Sequence, residues 1–178
     1  MRALGPGSVS SLLKIALDVV YVVLWILIGI LLVLALGALV VPIPDRSIAV
    51  EINGVERELR ATQIKLAISA FSACGAGYMA VLLFVVDRLR RIFATLTAGD
   101  PFHPGNIKRL QLIGLGLIGV EAGRVLLPVV ARLLVPGPDQ DELRFVNLTA
   151  WFSVLVVFVL AEVFREGARL RRDAELTI

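Results

Sequence analysis

Four times in this sequence the chain runs apolar for about twenty residues or more, the length of helix that crosses a bilayer core. The runs cover about residues 15–41, 63–86, 110–135 and 145–164, and each is bounded by prolines, glycines or clusters of charge. In lipid every backbone polar group must find its partner inside the segment, so runs of this kind fold as helices. The 58% hydrophobic composition and mean hydropathy of +0.88 exceed what an ordinary soluble domain carries. The expected fold is therefore an all-α membrane protein: a single polytopic domain, residues 1–178, built as a four-transmembrane-helix bundle.

The first helix is expected over about 12–41, ended by Pro42 and Pro44. Its apolar stretch is too long for a signal-peptide core, so it reads as a retained anchor. Asp18 follows Lys14 at i,i+4, a spacing that lets the two pair near the membrane surface. Between Ser47 and Arg60 the period changes to two, with Asn53-Gly54 at the centre, the strongest short signal for a β-hairpin. A small extracytoplasmic hairpin over 47–60 is expected between helices one and two.

Helix two, about 62–86, repeats small residues at Ser69, Ala73 and Gly77, a face suited to close helix approach in lipid or to assembly with a second copy. It should run on past the membrane, because Leu89, Ile92, Phe93 and Leu96 continue an apolar stripe until Gly99 and Asp100-Pro101 stop it. A basic elbow, 88–109, follows. Asn106 is suited to cap helix three, expected over about 107–135 and closed by Pro136-Gly137-Pro138. An acidic loop with Asp139, Asp141 and Glu142 leads to helix four at about 145–164. That helix continues as a charged tail, 165–178, in which Glu162 with Arg165 and Glu166 with Arg169 repeat an i,i+3 pairing distance.

Charge sets the expected threading. The N-terminus, elbow and tail hold eleven Lys and Arg, against four (Arg46, Arg57, Arg60, Arg144) in the two opposite loops. By the positive-inside rule both termini and the elbow are cytoplasmic. The net charge of +3 is explained by this belt and does not call for direct nucleic-acid binding.

Helix three carries two charges at mid-depth, Glu121 and Arg124, where each costs roughly 2.5 to 3.5 kcal/mol on insertion scales. Their i,i+3 spacing allows a pair, and Gly114, Pro128 and Arg132 extend the same face. Pro128 cannot donate to the carbonyl of Arg124, leaving an acceptor beside the charges. The simpler reading is a structural ion pair that fixes helix register. The functional one is a polar centre for a ligand, for membrane sensing or for a proton. Gly119 and Gly123 offer a GxxxG step on a neighbouring face.

No catalytic set, cofactor loop or metal-ligand spacing is found. His103 is the sole histidine and sits between turn residues, and Cys74 is the sole cysteine, so neither a cysteine metal site nor an internal disulfide is expected. The string GxGxxG at Gly114, Gly116 and Gly119 follows a charged elbow and lies in an apolar span, not after a strand.

Two stretches carry a family resemblance. One is Leu89-Arg90-Arg91-Ile92-Phe93 leading to Gly99-Asp100-Pro101-Phe102 and Asn106-Ile107-Lys108-Arg109-Leu110, then Ile113-Gly114. The other is the tail from Leu160-Ala161-Glu162 through Arg169-Leu170 to Leu176-Thr177-Ile178. In order and spacing they resemble the bacterial membrane family DUF2975; Leu13 to Asp18 fits more loosely. The resemblance implies a four-span inner-membrane protein without established activity. Genes of that family often neighbour a helix-turn-helix regulator of the Cro/CI type, so it also implies a regulatory pair. On that basis the expected function is non-enzymatic regulation or docking, with Pro101, Phe102, Asn106, Arg165 and Arg169 as the cytoplasmic contact. The alternative is a small transporter or channel subunit that uses Glu121 and Arg124.

Overall fold

The computed structural model describes residues 9–42, 44, 47–52, 55–134 and 147–176. Among them the chain forms four helices and two strands: α1 (Val9–Val40), β1 (Ser47–Ile52), β2 (Val55–Arg60), α2 (Ala61–Thr97), α3 (Pro104–Leu134) and α4 (Leu148–Glu175). All four helices are long and apolar enough to cross a membrane. The Asn53-Gly54 turn, the Pro136-Gly137-Pro138 helix end and the acidic loop through Arg144 lie outside the described residues. The strands pair antiparallel, from Ser47 opposite Arg60 to Ile52 opposite Val55.

The chain divides into two compact units. One comprises residues 1–25, 81–121 and 147–178, the other 26–80 and 122–146.

In the first unit all four helices meet. Val85 and Ile92 of α2, Leu110 and Ile113 of α3 and Ala161 of α4 form its buried core, with Leu89, Leu96, Leu117, Val157 and Phe164 packed around them. The close approach depends on glycine. A methyl group at Gly114 would sit 2.8 Å from the ring of Phe158, and one at Gly116 would collide with Val85. Two helices in lipid gain little from burying apolar surface, so contact through missing side chains supplies much of the attraction.

In the second unit the start of α2 is tied down locally. The Gln63 side chain reaches back to accept from the backbone N–H of Arg60 at 3.1 Å, the N3 half of a capping box, and Lys65 Nζ donates to the carbonyl of Val41 at 2.5 Å. Gly123 of α3 receives the ring of Tyr78, and Gly75 faces Leu31.

Within the chain the small-residue face of α2 packs only in part. Of Ser69, Ala73 and Gly77 only Ser69 is buried; the buried stripe is Ser69, Ser72 and Ala76. A strict four-residue step advances 40° around a helix of 3.6 residues per turn, so it winds off the contact face, whereas alternating steps of three and four stay on it.

The helix ends differ from expectation as well. α3 begins at Pro104, not at Ile107, and α4 at Leu148, where Asn147 is the N-cap and its side chain accepts from Ala150 N–H at 3.3 Å.

Candidate functional site

The elbow is a short, fully specified turn. Its first half is a Schellman motif: Asp100 N–H donates to the carbonyl of Thr95 at 3.0 Å and Gly99 N–H to that of Leu96 at 3.1 Å. The motif requires a left-handed residue, supplied by Gly99 with φ of 82°. Its second half starts α3. His103 occupies the N-cap, with Nδ1 accepting from Gly105 N–H at 3.0 Å and its carbonyl accepting from Asn106 N–H at 2.8 Å. Pro104 takes the first helical position, where its missing N–H costs nothing. Six residues, 98–103, separate the two helices.

Asn106, expected to be the cap and part of a contact surface, does neither job. It is inside the first turn and wholly buried. Its amide nitrogen donates to Thr95 Oγ1 at 2.7 Å and to the carbonyl of Pro101 at 3.1 Å, and its oxygen accepts from Arg109 at 2.9 Å. Thr95 in turn donates to the carbonyl of Ile92, and Arg109 also donates to that of Arg91. The amide thus joins the last turns of α2, the turn itself and the first turns of α3. A cap displaced to His103 by the preference of proline for the first helical position leaves Asn106 three residues inside, pointing at α2.

The tail closes over this turn. Phe102 projects from the elbow against α4, its ring 5.7 Å from that of Phe164 and tilted by 51°. Gly167 makes the space: a Cβ there would lie 2.5 Å from the Phe102 ring. Ala161, one turn before Phe164, and Ala168, one turn after it, are buried, so small residues flank the aromatic contact on the face of α4 toward the elbow. Asp100 accepts from Arg171 at 2.6 Å at the far end of the contact. Two of the expected contact residues are therefore placed at one surface, Pro101 half-buried and Phe102 still 38% exposed.

Arg165 and Arg169 stand on an exposed face of α4, each paired within its own helix, to Glu162 at 3.1 Å and to Glu166 at 3.3 Å. The residues that join tail to elbow, Asp100, Phe164, Gly167 and Arg171, were not singled out for this role from the sequence. Their signal was the 3-4-3 spacing of Ala161, Phe164, Ala168 and Arg171.

The basic belt is organised by few acids. Asp87 lies 3.3 Å from Arg88 and 2.9 Å from Arg91. Asp18, whose spacing also permits Lys14, accepts from Arg90 of α2 at 2.6 Å, and the same guanidinium lies over the ring of Tyr21 at 4.2 Å. This clamp fixes α1 to α2 across 72 residues of sequence, a distance no local spacing rule can see.

On α3, Glu121 is buried at 7% exposure and closes the first unit, while Arg124 and Pro128 belong to the second. Neither Glu121 nor Arg124 is without a partner. An open, shallow apolar groove runs along α4, lined by Trp151, Val154, Leu155, Phe158, Val159 and Glu162. Among the described residues no three of His, Cys, Asp and Glu gather as a metal site.

Four long apolar helices, joined by a basic elbow and followed by a charged helical tail, define a multi-pass membrane protein. Within that class the chain belongs to the family described as "Protein of unknown function (DUF2975)", whose match covers residues 43–178, which leaves out α1. No curated protein and no solved structure matches the chain.

Proposed function

We propose that this protein is a non-enzymatic regulatory or docking protein of the bacterial inner membrane. Both termini and the elbow lie in the cytoplasm, the β1–β2 ladder lies outside, and the elbow and tail form a platform for a soluble partner. The proposed partner is a helix-turn-helix regulator of the Cro/CI type, as the family association implies.

The observation that supports this reading is the seating of Phe102 between Gly167 and Phe164, with Asp100 held by Arg171. Elbow and tail make one surface, edged by the exposed cations Arg165 and Arg169. A partly exposed aromatic ring framed by charge is the usual anatomy of a protein contact.

Crosslinked affinity purification from native membranes tests it, comparing the parent with a Phe102→Ala, Arg169→Glu variant. Recovery of a soluble DNA-binding protein by the parent and its loss from the variant is the expected result. Recovery of only membrane proteins, equally with both, would sink the reading.

A second reading has one observation in its favour: Glu121 is buried within an apolar span, and such residues commonly mark ion or substrate paths. In a transporter, Glu121→Gln would abolish flux in proteoliposomes. In a docking protein it would leave partner recovery intact. Ala73 and Gly77, exposed on α2, are the face through which two copies would assemble.

A further inference from the structure

Positive charge is spread over the whole elbow and tail, but it is not evenly neutralised. Arg90, Arg165, Arg169 and Arg171 each have a carboxylate of their own within 3.3 Å. The end of α2 and the start of α3 are different. There the single carboxylate of Asp87 serves both Arg88 and Arg91. Arg109, bound to the carbonyl of Arg91, directs its other hydrogen bond to the Asn106 amide, and both acceptors are neutral. Among the described residues neither Arg109 nor the exposed Lys108 meets a carboxylate. Two cations thus share one acid, Arg109 adjoins them through the carbonyl of Arg91 with Lys108 next to it in the chain, and the first turn of α3, which holds no acid, adds the positive end of its dipole.

One atom in this cluster is left without a partner. Arg88 Nε is buried and meets no acceptor, while its guanidinium lies over the ring of Phe84, 4.7 Å from the centroid. That donor is shielded, but the Arg88 side chain is still 25% exposed, so an anion can approach the rest of the guanidinium and add the charge-assisted hydrogen bonds that one carboxylate shared by two arginines does not supply. Phe84 shows what kind. It is 36% exposed and lies inside the apolar span, where a soluble partner has no access and lipid does. The cations begin four residues further on, at Arg88, where the apolar run gives way to charge and lipid phosphates are within reach, and guanidinium groups match phosphate geometry through paired hydrogen bonds.

We propose that Arg88, Arg91, Lys108 and Arg109 form a binding site for the phosphate of an anionic phospholipid in the leaflet that the elbow faces. The site stands independently of the docking reading, since its ligand comes from the bilayer.

The test uses the full-length protein in nanodiscs of phosphatidylcholine mixed with phosphatidylglycerol, with the retained lipids counted by native mass spectrometry. The parent retains phosphatidylglycerol over phosphatidylcholine. Lys108→Gln lowers that retention about five-fold, and adding Arg88→Gln lowers it about five-fold again. Arg165→Gln with Arg169→Gln removes as much charge from paired positions and changes it less than two-fold. Lys108→Arg restores the parent's value, which separates charge from folding, and Lys108→Gln alone decides if the Arg88 variant does not fold. Equal loss in the paired-position control, absence of phosphatidylglycerol preference in the parent, or release of the lipid by millimolar inorganic phosphate would each overturn the proposal. The last outcome would assign the cluster to free phosphate. Retention lost only when a soluble acidic protein is added would assign it to protein contact.

Discussion

Asn106 shows how one side chain can hold a turn together. Its amide has three partners and no exposure, so truncation strands Thr95, the Pro101 carbonyl and Arg109 together. Asn106→Ala is expected to cost about 2 kcal/mol, from buried polar groups left unpaired, read as a lower melting midpoint of the detergent-solubilised protein. Gly167 makes the opposite point, because there the missing side chain is what counts. Gly167→Ala drives a methyl group into the Phe102 ring and is expected to cost about 1 to 3 kcal/mol through overpacking. Gly77→Ala on α2, where nothing lies within 4 Å of the new carbon, should be neutral or stabilising by up to about 1 kcal/mol. Comparable losses from the two glycine variants, in the same melting assay, would contradict the packing assigned to Phe102.

At the scale of the element, the turn after α2 rests on a left-handed residue. Gly99→Ala should destabilise by about 1 to 2 kcal/mol, the cost of that conformation for an L-residue. Gly99→Asn should lose less, because asparagine tolerates it, and thermal melts of the two variants check the order. These elements differ in how far the sequence reveals them. Span lengths and the stops at Gly99 and Asp100-Pro101 are local properties, and the residues state them directly. So are the i,i+3 pairs of the tail, since both partners lie on one helix. The cap of α3 was misassigned because two signals compete within four residues: Asn106 is a good cap, but Pro104 is a better first helical residue and displaces it. The face of α2 that packs within the chain departs from the Ser69, Ala73, Gly77 series because residues at equal four-residue steps wind around the helix. The Asp18–Arg90 clamp and the Asp100–Arg171 contact join residues about seventy positions apart, and nothing in a window of sequence carries that pairing.

For the molecule as a whole, the distribution of Lys and Arg makes a threading prediction that chemistry can read. In a Cys74→Ala background, Lys108→Cys should react with a membrane-impermeant thiol reagent only when the cytoplasmic face is open, and Ser47→Cys only from outside. The reverse pattern would invert the topology and remove the platform from the cytoplasm. The six-residue connection between α2 and α3 has a further mechanical consequence. Its hydrogen bonds engage the final turn of one helix and the opening turn of the other, so the joint has almost no slack. A joint of that kind does not let one helix slide like a piston along its neighbour. Any message crossing the membrane through this pair must travel as a shared tilt or twist, and a bilayer of different thickness would alter that tilt for both helices at once.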